Sequence, residues 1–233
     1  MYFWLVHTSS LMQKPLPALR SSLVLPFLAV FGCWFVYGVA RYYSLDLTAF
    51  GLYPRQFAGI RGIVLAPFIH SGSRHLLHNS LPLFVLLWAL CYFYRQIAAK
   101  VLVRGLFFTG MLTWFFARPA YHIGASGLVY LLVSFVFFSG MIRQYYRLVA
   151  LSLAVVFIYG SMVWYLFPIQ ASISWEGHLS GFVTGLFLAY WHRKQGPQPE
   201  VFQFSNTDDF DELFDAEGNF VPAETVEETP ERE

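Results

Sequence analysis

Ser126 stands in the run His122-Ile123-Gly124-Ala125-Ser126-Gly127-Leu128-Val129-Tyr130, where a long apolar segment begins. A serine hydroxyl attacks a carbonyl only when a base takes its proton and donors await the oxyanion that forms. A serine between glycines is more often a helix cap or a packing residue. Its chemistry therefore depends on what else the chain offers.

A base is offered by His178, followed by Gly181 and Gly185 in Gly177-His178-Leu179-Ser180-Gly181-Phe182-Val183-Thr184-Gly185. Spacings of three and seven put both glycines on the histidine's face of a helix, and the interval between them is the small-xxx-small pattern that lets helices approach closely. Close approach is what a base needs, because proton transfer from a hydroxyl requires a separation of about 2.6–3.2 Å. Donors are offered by His75 and Asn79, four residues apart and so on one helical face, and by the backbone N–H of Ser126. Considered separately, His178 could be a packing histidine and the His75–Asn79 pair an interhelical polar bridge. Their value as a site rests on their meeting.

The elements that would bring them together follow from composition. The 233 residues are 57% hydrophobic and 12% charged, too apolar for an ordinary soluble domain, so the expected class is an all-α polytopic membrane protein. Six apolar runs, at about 21–40, 75–94, 101–117, 126–142, 148–167 and 176–191, are near the ~20 residues that cross a bilayer. Between the first two, 41–74 is too broken by arginines and prolines to be a span and suits an interfacial loop. In a six-span bundle the second, fourth and sixth helices all begin on one side of the membrane. His75, His78 and Asn79, then Ser126, then His178 lie at those three starts, and polar groups at such depths face a bundle interior or a wet cavity.

The charges add a topology and an exclusion. Nine basic residues, Lys14, Arg20, Arg95, Lys100, Arg104, Arg143, Arg147, Arg193 and Lys194, flank one side; five, Arg41, Arg55, Arg61, Arg74 and Arg118, flank the other. Both termini are expected in the cytoplasm, in a plasma or bacterial inner membrane. Twelve of the fourteen acids lie between Glu200 and Glu233, leaving only Asp46 and Glu176 in the body. Paired intramembrane aspartates and an HExxH zinc site are thereby excluded. Cys33 and Cys91 read as small buried hydrophobes, and no signal peptide is read at residues 2–6.

The expected organisation is a cytoplasmic segment at 1–20, a six-helix core at 21–194 and an acidic cytoplasmic tail at 195–233. The tail reads as a disordered segment, or as one that docks on a cytoplasmic partner through Phe202, Phe204, Phe210, Phe214 and Phe220. It lacks the glycine placement of an EF-hand. His70 is placed to orient the first loop, His78 either lines the cavity or faces a neighbour, and His122 reads as a loop residue. His7 and His192 lie outside the constellation.

Together these residues resemble the rhomboid family of intramembrane serine proteases. His70, His75 and Asn79 match its H-x4-H-x3-N spacing; Gly124, Ser126 and Gly127, with Tyr130, resemble its GxSG nucleophile motif; His178, Gly181 and Gly185 resemble its HxxGxxxG base helix. The similarity covers about residues 20–194. It implies a six-transmembrane-helix rhomboid-like bundle, a Ser126–His178 dyad without an acid, an oxyanion hole from His75, Asn79 and the Ser126 amide, and Tyr130 packed on the His178 ring. It also implies a substrate that is itself a membrane-spanning helix, met in the lipid bilayer. No metal, organic cofactor or nucleic acid is expected. The Trp-Arg pair that many members carry in the first loop is absent, Arg61 being the nearest candidate; His78 precedes Asn79 where an apolar residue is common, and Gly177 precedes His178 where alanine is usual. Two rivals stand beside the protease: a non-catalytic rhomboid-like binder of membrane helices, and a zinc-dependent membrane hydrolase using His75, His78 and His178.

Overall fold

A computed structural model describes residues 16–158, 163–170, 173–197, 214 and 218–220. His7, Phe202, Phe204 and Phe210 fall outside the described residues. The chain divides into two compact units, residues 1–199 and 200–233. In the second, Phe214 and Phe220 form an antiparallel bridge with ring centroids 5.8 Å apart.

Every named element of the first unit is helical. Six long helices correspond to the six apolar runs: α1 (Leu16–Tyr42), α3 (Ser73–Phe93), α4 (Ala98–Phe116), α5 (Ser126–Ile142), α6 (Tyr146–Ile158) and α7 (Trp175–Trp191). A four-residue helix, α2 (Gly62–Leu65), sits in the first loop. Three of the long helices, α1, α3 and α4, are long and apolar enough to cross a bilayer alone. The 17 residues of α5 rise only about 26 Å at ~1.5 Å each. Such a helix can start below the membrane surface because other helices wall it off from lipid, so its end meets a protein cavity rather than hydrocarbon. Leu131, Leu132, Phe135, Val136 and Ser139 of α5 are all buried.

Two boundaries differ from the sequence expectation. The first helix runs past both ends of 21–40, and the fifth is shorter than 148–167. Within the latter, Trp164–Leu166 is a separate 3-10 turn, after which Phe167 is extended (φ −112°, ψ 158°), as a residue before proline prefers to be. Apolar composition alone does not separate a spanning helix from an apolar turn beside it.

The close contact between α5 and α7 governs the fold around Ser126. A Cβ added to Gly181 would lie 2.1 Å from the Gly127 carbonyl oxygen, and one added to Gly185 would lie 2.3 Å from that of Leu131. The two backbones are in contact, and Ser134 Oγ adds a 2.7 Å hydrogen bond to the Phe182 carbonyl. At the far end of these helices the buried Arg143 binds Ser139 on its own helix and the carbonyls of His192 and Gln195 beyond α7. His192, outside the candidate constellation as expected, is buried there and lies 3.2 Å from Arg104.

The first loop closes over the start of α5. Leu52 and His122 exchange both backbone hydrogen bonds, at 3.0 and 2.8 Å, and Gly124 N–H donates to the Ala66 carbonyl at 2.8 Å. Arg61 donates to the Ala49 carbonyl at 2.9 Å and lies over the Phe50 ring, so it ties that loop internally without a tryptophan partner.

Gly181→Ala is expected to lower stability by about 1–3 kcal/mol or more, the range for overpacking a tight contact. Gly38→Ala is its control, because a Cβ there meets nothing within 4 Å. Thermal unfolding in detergent reads both; equal melting temperatures would contradict the backbone contact.

Candidate active site

Ser126 is the first residue of α5, and the preceding Gly124 takes a left-handed conformation (φ +106°). This turn aims the Ser126 side chain at α7, where its Oγ lies 2.9 Å from His178 Nε2. The other ring nitrogen, Nδ1, is 2.9 Å from the Tyr165 carbonyl oxygen. A carbonyl only accepts, so Nδ1 carries the ring proton and donates it, leaving the Nε2 lone pair to accept from the Ser126 hydroxyl. Tyr130, one turn along from Ser126, stacks on His178 with ring centroids 4.3 Å apart and planes 12° from parallel. His178 is thus buried and fixed on three sides.

His75 and Asn79 come from the neighbouring α3. A Cβ on Gly124 would lie 2.8 Å from His75 Nε2 and 3.7 Å from Asn79 Nδ2. Gly124 therefore serves twice, supplying the positive φ and leaving space beneath both side chains. The amide nitrogen Nδ2 of Asn79 is buried without a protein hydrogen-bond partner, and buried donors of that kind call for a reason. The first-turn amides of α5 and the positive end of its dipole point into the same region.

The sequence-selected residues Ser126, His178, His75, Asn79, Tyr130, Gly124, Gly127, Gly181 and Gly185 are thus brought together. A cavity of about 60 Å³ adjoins them, lined in part by Thr109, Thr113, His122, Ser126, Ser174 and Gly177. Among the described residues, no group of three or more His, Cys, Asp or Glu comes together as metal ligands.

Other contacts had weaker signals in the sequence. His70 accepts from the Ala125 N–H at 3.4 Å, so it steadies the residue before Ser126 as well as the first loop. His122 is a loop residue, as expected, but it also pairs with Ser174 just before α7. Arg118, counted in the sequence only as a flanking charge, lies 3.6 Å from the buried Glu176. The scarcity of body acids marked Glu176 as unusual; nothing in the sequence marked its partner.

The chain belongs to an integral membrane, intramembrane-protease-like class, as its apolar helices and its family match show. Its family is the rhomboid family: the Rhomboid domain matches residues 58–195. It is 29% identical over 194 residues to the uncharacterized protein Rv1337 of Mycobacterium tuberculosis strain H37Rv, covering 78% of this chain and 79% of that one. It is 33% identical over 141 residues to the uncharacterized protein ML1171 of Mycobacterium leprae, covering 55% of each.

His70 lies in the loop before α3, and burial, followed by its neighbour His75, pushes its pKa from 6.5 down to about 4. A depressed histidine pKa means the unfolded chain binds the proton first. The stability this group contributes is complete above 6.5 and is lost as pH falls towards 4. Melting temperature is expected to fall across that window, and more gently in His70→Gln; equal slopes would contradict the assignment.

Proposed function

We propose that this protein is an intramembrane serine protease that hydrolyses peptide bonds in or near the transmembrane segments of membrane proteins. The observation that carries the proposal is the 2.9 Å contact between Ser126 Oγ and His178 Nε2, with Nδ1 already engaged by the Tyr165 carbonyl. That pairing presents the correct tautomer of a general base to a hydroxyl.

In the reaction, Ser126 Oγ bonds to the scissile carbonyl carbon as its proton passes to His178 Nε2. The oxyanion is met by the Ser126 amide, by Asn79 Nδ2 and by His75. For His75 to donate from Nε2, the nitrogen beside Gly124, its Nδ1 accepts from the Ser71 hydroxyl 3.3 Å away. His178 then protonates the leaving amine as the C–N bond breaks. Water attacks the acyl-enzyme with His178 again as base, releasing the carboxylate and restoring the serine. No metal or organic cofactor enters these steps.

The core at 21–194 carries this activity, with the 1–20 segment and the 195–233 tail on the cytoplasmic side of a plasma or bacterial inner membrane. The tail is open to a cytoplasmic partner. Substrates reach the site from the lipid bilayer. The zinc reading is disfavoured because His75, His78 and His178 do not form a ligand cluster. The non-catalytic reading is disfavoured because both nucleophile and base are present and in hydrogen-bond contact.

Labelling by a fluorophosphonate probe tests the proposal. Wild type is expected to be labelled, and Ser126→Ala and His178→Ala are not. Asn79→Ala should lower turnover about 10²–10³-fold, as loss of an oxyanion donor does. Labelling that survives Ser126→Ala would overturn the assignment.

A further inference from the structure

The lead-in to α7 is held by a group of contacts that the reaction above does not use. Glu176, one of only two acids before residue 200, is buried within the first turn of α7. Its Oε1 lies 3.6 Å from Arg118 Nη1 and accepts from the Arg118 backbone N–H at 3.4 Å. The other arm of Arg118, Nη2, donates to the Ile173 carbonyl at 2.7 Å. Four residues on, His122 Nε2 donates to the Arg118 carbonyl at 3.2 Å, which leaves Nδ1 to accept from the Ser174 hydroxyl. One short stretch, 118–122, thereby grips residues 173, 174 and 176. Its far end runs directly into Gly124 and Ser126.

The glycine contact between α5 and α7 does not supply this control. Gly127, Gly181 and Gly185 set how closely the helices approach, and the Ser134–Phe182 bond ties them further along, but neither lies at the lead-in to α7. Arg118 does resist movement there, because its Nη2 donates a directed hydrogen bond to the Ile173 carbonyl while Nη1 faces the Glu176 carboxylate as an ion pair and its backbone N–H donates to the same carboxylate. It acts two residues from His178, and a displacement of about 1 Å at a reacting group can cost about 10²-fold in rate.

We propose that Arg118 and Glu176 form a positioning clasp that sets the register of His178 against Ser126. The same stretch, 118–122, also holds Ile173 and Ser174, immediately before α7. This inference rests on the Ser126–His178 reading. Arg118 is a positioning residue; it does not touch the substrate.

The test uses the full chain in detergent and in vesicles, with fluorophosphonate labelling rates per folded molecule and kcat and KM on a membrane-spanning reporter. Arg118→Ala and Glu176→Gln are each expected to slow labelling and lower kcat about tenfold or more, with KM within about twofold, in line with misplacement of a reacting group. The double variant should be no slower than the slower single one, because the two residues act as a unit. Arg118→Lys, which keeps the charge but loses the forked geometry, should recover part of the rate and serves where Arg118→Ala folds poorly. Unchanged labelling and kcat per folded molecule, or losses that multiply in the double variant, would overturn the clasp while leaving a labelled wild type intact. Absence of wild-type labelling would instead overturn the nucleophile assignment and the clasp with it.

Discussion

The contact on which the rest of the structure depends is that of two helix backbones with no side chains between them. Gly127 on α5 and Gly181 and Gly185 on α7 remove the Cβ atoms that would otherwise hold the helices apart. In a bilayer the hydrophobic effect does not drive helices together, because lipid tails solvate apolar side chains as well as a neighbouring helix does. Close packing and interhelical hydrogen bonds have to do it. The glycines supply the first and the Ser134–Phe182 bond is an instance of the second. Only at this spacing does a serine at the start of α5 meet a histidine in the first turns of α7 at hydrogen-bond distance.

The second constraint is the burial of polar groups. Several of the polar side chains around Ser126 are paired. His178 is engaged at both nitrogens, and Glu176 is paired with Arg118. Asn79 Nδ2 is a buried donor at the site without a protein partner, as are His70 Nδ1 and Thr109 Oγ1 near it. Asn79 Nδ2 lies over Gly124, the glycine whose positive φ sets the turn into Ser126. This unmatched donor thus stands beside the turn that leads into Ser126.

Much of this was readable from the chain because the informative residues are of rare type for their surroundings. A histidine or asparagine within an apolar run is conspicuous, and helix counting places Ser126, His178, His75 and Asn79 at one side before any coordinate is known. The helical periodicity likewise puts Gly181 and Gly185 under His178. Contacts made by backbone or by loops were not readable. The Tyr165 carbonyl has no sequence signature, and its position depends on a 3-10 turn inside a run that reads as continuous helix. Arg118 and Glu176 are 58 residues apart, and their pairing depends on the path of a loop that no periodicity describes. His122 was readable as a loop residue, but its bond to Ser174 was not.

The most direct test of the central claim is cleavage of a reporter with one membrane-spanning helix by the purified protein in lipid vesicles, with mass spectrometry of the products. The account predicts a single peptide-bond cut in or near the spanning segment, insensitive to metal chelators and abolished in Ser126→Ala. Cleavage that persists in Ser126→Ala, or that stops only when metal is removed, would contradict it.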